Sequence, residues 1–325
     1  MVSWDYAEGM NRLELTISRH FWHPHLRREI RAQLSTCDTC KRMKNEGQRS
    51  KHGQLAPRNV PMVPWSEVHV DSFGPWKFKR NGLEVSVRGF TAVDPVTKLV
   101  EITRIDSAKT ADSTNAFVNT WLSRYPLPQF VVNDNGPDFR GHEWEFMAQQ
   151  WGITRKQITP HAPTANSVIE TTHRTMGQVM RTILENADPH SLDEMNQLVE
   201  NAIALTIRAC RCSANTSLQG LAPGALVFSR DMHLNIPIVV DILALSQNQQ
   251  LQTDLRLQRE NRRRTRHEYR VGDMVFVNNH HSSGDKLKPA WVGPFQVLQV
   301  HTNGTITIQR GLVHERINIR RVKPR

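Results

Sequence analysis

An aspartate stands where a buried strand should be apolar. Val68, Val70 and Phe73 surround Asp71 in what reads as one strand of a packed sheet. A carboxylate in that setting must be paired, protonated or bound to a metal ion. Two further acids occupy similar positions. Asp134 ends the short apolar strand Phe130-Val-Val132, and Glu170 opens a long helical pattern, with 35 residues between the two. Three converging carboxylates cannot neutralise one another, and oxygen-only ligands select Mg²⁺ or Mn²⁺ over zinc. A pair of such ions activates an attacking oxygen and stabilises a leaving one, the chemistry of phosphodiester transfer. Each acid also has a plainer reading. Asp134-Asn-Gly136 is a turn sequence, Ser167-x-x-Glu170 fits a helix capping box, and Asp71 can be a wet strand edge. The joint pattern carries the metal reading.

The elements around these acids alternate. The reading predicts a first strand around Asp71, a hairpin at Asn81-Gly82, strands over Val85–Val93 and Lys98–Thr103, and a helix over Thr110–Arg124. The strand Phe130–Val132, a helix His142–Trp151, a strand Ile153–Ile158 and a helix Asn166–Asn186 follow. That order fits an α/β layer with a mixed sheet. Upstream, Leu13, Ile17, Phe21, Leu26, Ile30 and Leu34 keep helical spacing, broken into two helices at Pro24. Cys37-x-x-Cys40, a basic stretch and a Pro-rich run to Pro64 come next. Downstream, residues 190–265 are mostly helical in pattern, and about five short strands from Tyr269 onward predict a small β-barrel. The expected division is 1–50, a linker 51–64, a core 65–190, a helical extension and basic linker 191–267, and a terminal barrel 268–325.

Charge follows the same division. The 325 residues carry a formal net charge of +11. Residues 1–60 contribute +5 and residues 256–325 contribute +10, while the middle is −4. Basic ends imply a polyanion partner, and an acidic middle is consistent with carboxylates that hold metal. The longest apolar runs, such as Ile236–Val240, are far short of the roughly 18–20 residues of a membrane span. Four cysteines make no disulfide framework, which points to a reducing compartment; Cys210 and Cys212 are expected as buried free thiols. The run Arg262-Arg-Arg-Thr-Arg266 is a candidate nuclear-localisation or DNA-contact segment.

Three motifs resemble a known family. Val68-His-Val-Asp-Ser-Phe-Gly-Pro75, Val132-Asn-Asp-Asn-Gly-Pro-Asp-Phe139 and Pro160-His-Ala-Pro-Thr-Ala-Asn-Ser-Val-Ile-Glu170 are similar to the three acidic motifs of the integrases of gypsy-like long-terminal-repeat retrotransposons, relatives of retroviral integrases. Trp291-Val-Gly-Pro-Phe295 resembles the motif that names their C-terminal tails. The resemblance implies an RNase H-like catalytic core, a preceding helical zinc-binding-like module and a following SH3-like barrel. It implies Asp71, Asp134 and Glu170 as catalytic ligands of Mg²⁺ or Mn²⁺, with 3′-end processing and strand transfer as the reaction. Asp138 stands where the family is usually acidic. Double-stranded DNA, assembly into multimers on it and action in the nucleus follow, with no membrane. Arg174, Lys286, Lys288, Arg320, Arg321 and Lys323 are candidate DNA contacts, with His173 beside Arg174 and Arg310, Arg316 and Arg325 adding to the basic tail. Gly293-Pro294 is expected to start a strand whose Phe295 enters the barrel core.

The chain also departs from the family. His161, Thr164 and Thr171 stand where Tyr, Gln and Arg are usual. Cys37 and Cys40 form one half of a Zn²⁺ site, but the family's histidines would fall near Ser3 and Ala7. Either His20, His23 or His25 stand in, or zinc binding is lost. The alternative to an active integrase is a DNA- or chromatin-binding protein derived from one, catalytically decayed or adopted by a host.

Overall fold

The computed structural model describes residues 17, 21–36, 38, 51–134, 136–157, 167–185, 187–278 and 291–325. Cys37, Cys40, His161, Thr164, Lys286 and Lys288 lie outside the described residues, as does most of the first expected helix. The chain forms two compact units. One comprises residues 58–256, the other residues 1–57 together with 257–325.

The larger unit is built on a five-stranded mixed sheet. Strands β1 (Glu67–Arg80), β2 (Leu83–Val93) and β3 (Val100–Ile105) form an antiparallel meander. β4 (Phe130–Asn133) adds parallel to β1, and β5 (Thr154–Gln157) adds parallel to β4, giving the order β3-β2-β1-β4-β5. The Asn81-Gly82 pair turns the first hairpin as expected, between Arg80 and Leu83. β1 runs further than its apolar stretch predicts, because an irregularity between Phe73 and Trp76 absorbs Gly74-Pro75 without ending the strand.

The period of two in each strand sorts side chains onto two faces. Val68, Val70, Phe90 and Ala92 point to one face. There they meet α2 (Thr110–Phe117, continued by a π-turn Val118–Leu122) and α3 (His142–Gln150) through Phe117, Trp121, Trp144 and Met147. Phe73, Val85, Val87, Val93 and Ile102 point to the other. There they meet α4 (Ser167–Glu185) and α5 (Leu192–Cys212) through Ile169, Met176, Met180, Met195 and Val199. The unit is therefore a helix–sheet–helix sandwich, and each large buried side chain contributes about 1.5–3 kcal/mol of transfer energy. Cys210 and Cys212 near the end of α5 are free and half-buried, and burial pushes the Cys210 thiol up to about 11. A short helix α6 (Pro223–Phe228) and the N-terminal part of α7 (Ile242–Arg262) complete this unit around Leu218, Leu226 and Leu245. None of the helices is long and apolar enough to cross a membrane, among the described residues.

The smaller unit holds α1 (Leu26–Thr36) and a five-stranded antiparallel sheet. Its strands are β6 (Met274–Asn278), β7 (Trp291–Val300), β8 (Thr305–Arg310), β9 (Val313–Asn318) and β10 (Val322–Pro324), in the order β10-β6-β7-β8-β9. Val275, Val277, Val297, Ile306, Ile308, Ile317 and Val322 make its core, joined by Leu55 from the Pro-rich segment. Gly293-Pro294 does not start a strand. β7 begins at Trp291 and passes through it, while Phe295, half-buried with Arg310 over its ring, packs against the barrel core as expected. The expected single strand Ile317–Val322 is broken by a 3₁₀ turn at Ile319–Arg321, where Asn318 accepts a hydrogen bond from the Arg320 N–H.

Candidate active site

Parallel pairing of β1 with β4 sets the first two acids side by side. The registered pairs end at His69 opposite Val132, and two residues further along each strand stand Asp71 and Asp134. Asp71 is half-buried, sits opposite Thr91 of β2, and accepts the Ser72 N–H at 2.9 Å. Asp134 is exposed just past the end of β4 and accepts the Gly136 N–H at 2.9 Å. A Cβ at position 136 would lie 2.8 Å from Asp134 Oδ1, so glycine lets this turn close over the carboxylate. The turn reading of Asp134 and the site reading therefore hold together: the turn fixes where the acid stands.

Glu170 lies in the first turn of α4 and is exposed. The helix is held to the sheet by Ile169, Met176 and Met180. At a period of 3.6 that inward stripe includes position 173. His173 accordingly faces the sheet: its ring packs edge-on against Phe73 at 5.4 Å, and Nε2 lies 3.0 Å from Thr91 Oγ1. Burial drives its pKa down to about 4, so the ring is neutral at physiological pH. His173 is thus not a DNA contact but the tie between the helix carrying Glu170 and the strand pair carrying Asp71. The sequence signal was present in the stripe itself. Arg174, one turn after Glu170, is exposed and has no ion-pair partner among the described residues.

Phe73 makes this junction possible. A Cβ on Gly89 would come within 2.0 Å of Phe73 Cζ, so the ring occupies the space that only glycine leaves open. Trp76 packs against the same ring at 4.9 Å.

Two acids on one face of β1 experience opposite fields. Glu67 is half-buried, yet hydrogen bonds from His69 (2.9 Å) and Lys156 (2.7 Å) outweigh its desolvation and hold its pKa near 2. Asp71 is pushed up to about 7, first by burial, then by the charge of Asp134, with Glu170 and Asp138 adding; only the Ser72 N–H pulls it down. The charges of Asp134, Glu170 and Asp138 thus all act on Asp71. These acids do not close on a point: no three histidine, cysteine or acidic side chains are placed to hold one metal ion among the described residues. The donor set, all oxygen and mutually repelling, fits a hard divalent cation in kind.

The expected DNA contacts of the smaller unit are mostly occupied. Lys323 is 2 % exposed and its Nζ lies 4.5 Å over the Trp291 ring, so this lysine is a core cation and not an open phosphate contact. Arg320 pairs with Glu260, and Arg321 donates to the Asn278 carbonyl at 3.3 Å; both are half-buried.

The site thus combines an aspartate within β1, an aspartate just past the end of the parallel strand β4, and a glutamate in the first turn of a helix packed on the same sheet. Residues 8–46 match the family described as the integrase zinc binding domain, a segment that includes Cys37 and Cys40. The chain is 24 % identical over 275 residues to the uncharacterized protein K02A2.6 of Caenorhabditis elegans, covering 82 % of this chain and 20 % of that protein. It is 21 % identical over 306 residues to the transposon Tf2-3 polyprotein of Schizosaccharomyces pombe, covering 90 % of this chain and 22 % of the polyprotein. The chain thus spans about a fifth of the length of these relatives. A chain from the cryo-electron-microscopy structure of the simian T-cell lymphotropic virus intasome, in complex with the PP2A regulatory subunit B56 gamma, shares the fold. Its TM-score is 0.61 at 14 % identity, with 98 % of this chain and 95 % of that one covered. The chain is integrase-like, and its resemblance to the integrases of gypsy-like retrotransposons is borne out.

Proposed function

We propose that this chain is the integrase segment of a retroelement, carrying out divalent-cation-dependent 3′-end processing and strand transfer on double-stranded DNA. The observation that carries the reading is that the parallel pairing of β1 and β4 sets Asp71 and Asp134 at matching positions just beyond its last registered pair, with Glu170 adding its field on Asp71. Asp71, Asp134 and Glu170 would hold Mg²⁺ or Mn²⁺, whose charge lowers the pKa of an attacking hydroxyl and stabilises the leaving oxygen. In processing, water attacks a phosphodiester near the element end and leaves a free 3′-hydroxyl. In transfer, that hydroxyl oxygen forms a bond to a target phosphorus while the target strand's own P–O bond to its 3′-oxygen breaks. The chain's own groups position these events. Burial and the neighbouring acids raise Asp71 to about 7, so a bound divalent cation would favour its ionised, ligating form. His173 and Thr91 hold the Glu170 helix against the sheet. Such a reaction belongs where chromosomal DNA is, the nucleus, and joining two element ends calls for more than one copy of the chain.

The test is a joining assay with the full chain, Mg²⁺ or Mn²⁺, a labelled duplex bearing an element end and a target duplex. Joined product is expected, and Asp71→Asn, Asp134→Asn and Glu170→Gln should each abolish it while duplex binding persists. A folded, DNA-binding chain that yields no joined product would overturn the enzymatic reading. It would favour the second one, a DNA-binding protein derived from an integrase, which draws support from the acids not closing on one point. Zinc is a separate proposal: Cys37 and Cys40 would supply two thiolate ligands, and Cys37→Ser with Cys40→Ser should lower the metal content of the purified chain.

A further inference from the structure

We infer that the end of α7 and the residues after it form a phosphate-backbone contact for duplex DNA, made by Arg259, Arg262, Arg263 and Arg266. In sequence, Arg262–Arg266 is a uniform basic run. Folding divides it. Arg264 turns inward, is 6 % exposed, and donates to the carbonyls of Gly53 and His52, with a longer contact of 3.5 Å to that of Ile319. Thr265 is pinned beside it: its N–H donates to the Lys51 carbonyl at 2.9 Å, its carbonyl accepts the Gly53 N–H at 3.0 Å, and it bridges to His52 in parallel. The backbone of the run is therefore fixed, and its remaining arginines are displayed from a rigid base.

Those four arginines are exposed, and none has an ion-pair partner among the described residues. Arg259 and Arg262 stand at i and i+3 on one face of the last helical turn; Arg263 and Arg266 continue past the helix end. The nearest carboxylate on the helix, Glu260, is already taken by Arg320. Elsewhere in this unit several basic side chains are engaged. Arg310 pairs with Glu315 at 3.0 Å, Arg316 donates to Thr305 Oγ1 at 2.8 Å, Arg325 pairs with Asp38 at 2.8 Å, and Lys323 is buried. Lys51 and Arg270 are also exposed without an ion-pair partner among the described residues, but the end of α7 gathers four such cations within eight residues.

Arginine suits the partner, because its planar fork meets two phosphate oxygens at once. The neighbouring exposed residue Gln258 is polar, and no apolar side chain is displayed among the arginines as a membrane-lying helix requires. A receptor that reads an extended basic peptide would have to break the pairing of Thr265 and strip Arg264 of its carbonyls. Duplex phosphate needs neither.

The proposal rests on the DNA reading of the previous subsection, and one experiment separates them. Binding of the full chain to a labelled duplex of arbitrary sequence is followed by anisotropy over a salt series, for the wild type and for Arg259→Gln, Arg262→Gln, Arg263→Gln, Arg266→Gln combined. Each phosphate contact contributes about 0.9 to the slope of log K against log salt, so the variant should show a slope shallower by about 3.6 and at least about tenfold weaker binding. The four lysine replacements should keep most of the slope. If the combined variant fails to fold, the single substitutions, each expected to remove about 0.9 of slope, decide the matter. A wild type that does not bind duplex sinks both readings. A wild type that binds, with a variant of equal affinity and slope, sinks only the arginine site. So does a variant that keeps duplex binding while losing retention on anionic vesicles.

Discussion

Glu67 and Asp71 stand four residues apart on one strand face, and their surroundings push them in opposite directions. Glu67, held near 2, contributes stability that is present above its unfolded value of 4.5 and lost as pH falls through 2. Asp71, raised to about 7 from 3.8, keeps its proton in the folded chain where the unfolded chain has lost it. Unfolding then releases a proton, so stability falls as pH rises from about 4 to 7. Without divalent cations the larger unit should be most stable near pH 4–5, bounded by the shifts of these two groups. Asp71→Asn should flatten the alkaline side and raise stability at pH 8 by on the order of 2 kcal/mol, after discounting for partial exposure. Thermal melts across pH measure both, and a wild type whose melting point does not fall between pH 4 and 7 contradicts the assignment. Mg²⁺ should raise the melting point of the wild type more than that of Asp71→Asn. The acids were legible in the sequence because a carboxylate in an apolar strand is costly whatever surrounds it. His173 was not read correctly, because counting three residues from Glu170 does not say which side of the helix is wet. The neighbours Ile169, Met176 and Met180 do.

At the scale of the element, α4 is held to the sheet by a narrow stripe. Met180→Ala should cost about 2–5 kcal/mol through the cavity it leaves. His173→Ala should remove the Thr91 contact and the edge-on packing on Phe73, and lower joining activity beyond any loss of stability. Melting and joining assays on the same preparation distinguish the two effects. Gly89→Ala should be still more damaging, because Phe73 has no other space, and circular dichroism should show its loss of folded structure. The strands, the Asn81-Gly82 hairpin and the helices around the acids were legible from period and turn chemistry. The passage of β1 through Gly74-Pro75 and of β7 through Gly293-Pro294 was not, because proline read locally ends a strand. Whether it does so depends on a partner strand that lies elsewhere in the sequence.

At the scale of the molecule, the two units draw on the chain differently. Residues 58–256 are continuous and contain a core on each face of the sheet. That segment alone should unfold in one cooperative transition by calorimetry. The smaller unit needs both ends of the chain. Leu55 fills its core, Asn261 Oδ1 accepts the Leu55 N–H at 2.8 Å, and Arg264 is satisfied by His52 and Gly53. Residues 257–325 expressed without 51–57 should be markedly destabilised, since a buried guanidinium would lose its carbonyl partners. A fragment as stable as the intact unit would refute this.

The amino-acid order by itself determined which acids stand in strands, how far apart they lie, where the chain turns and which ends are basic. These are local properties of side-chain polarity and period. Tertiary structure alone decided which basic residues remain free. Arg264 and Lys323 look like their neighbours in sequence, yet both are buried, one on backbone carbonyls and one over an indole. It alone set Asp71 beside Asp134 and brought the Glu170 field onto Asp71. Parallel pairing and helix-to-sheet packing join residues far apart along the chain, and the energy of that meeting is not carried by either segment alone.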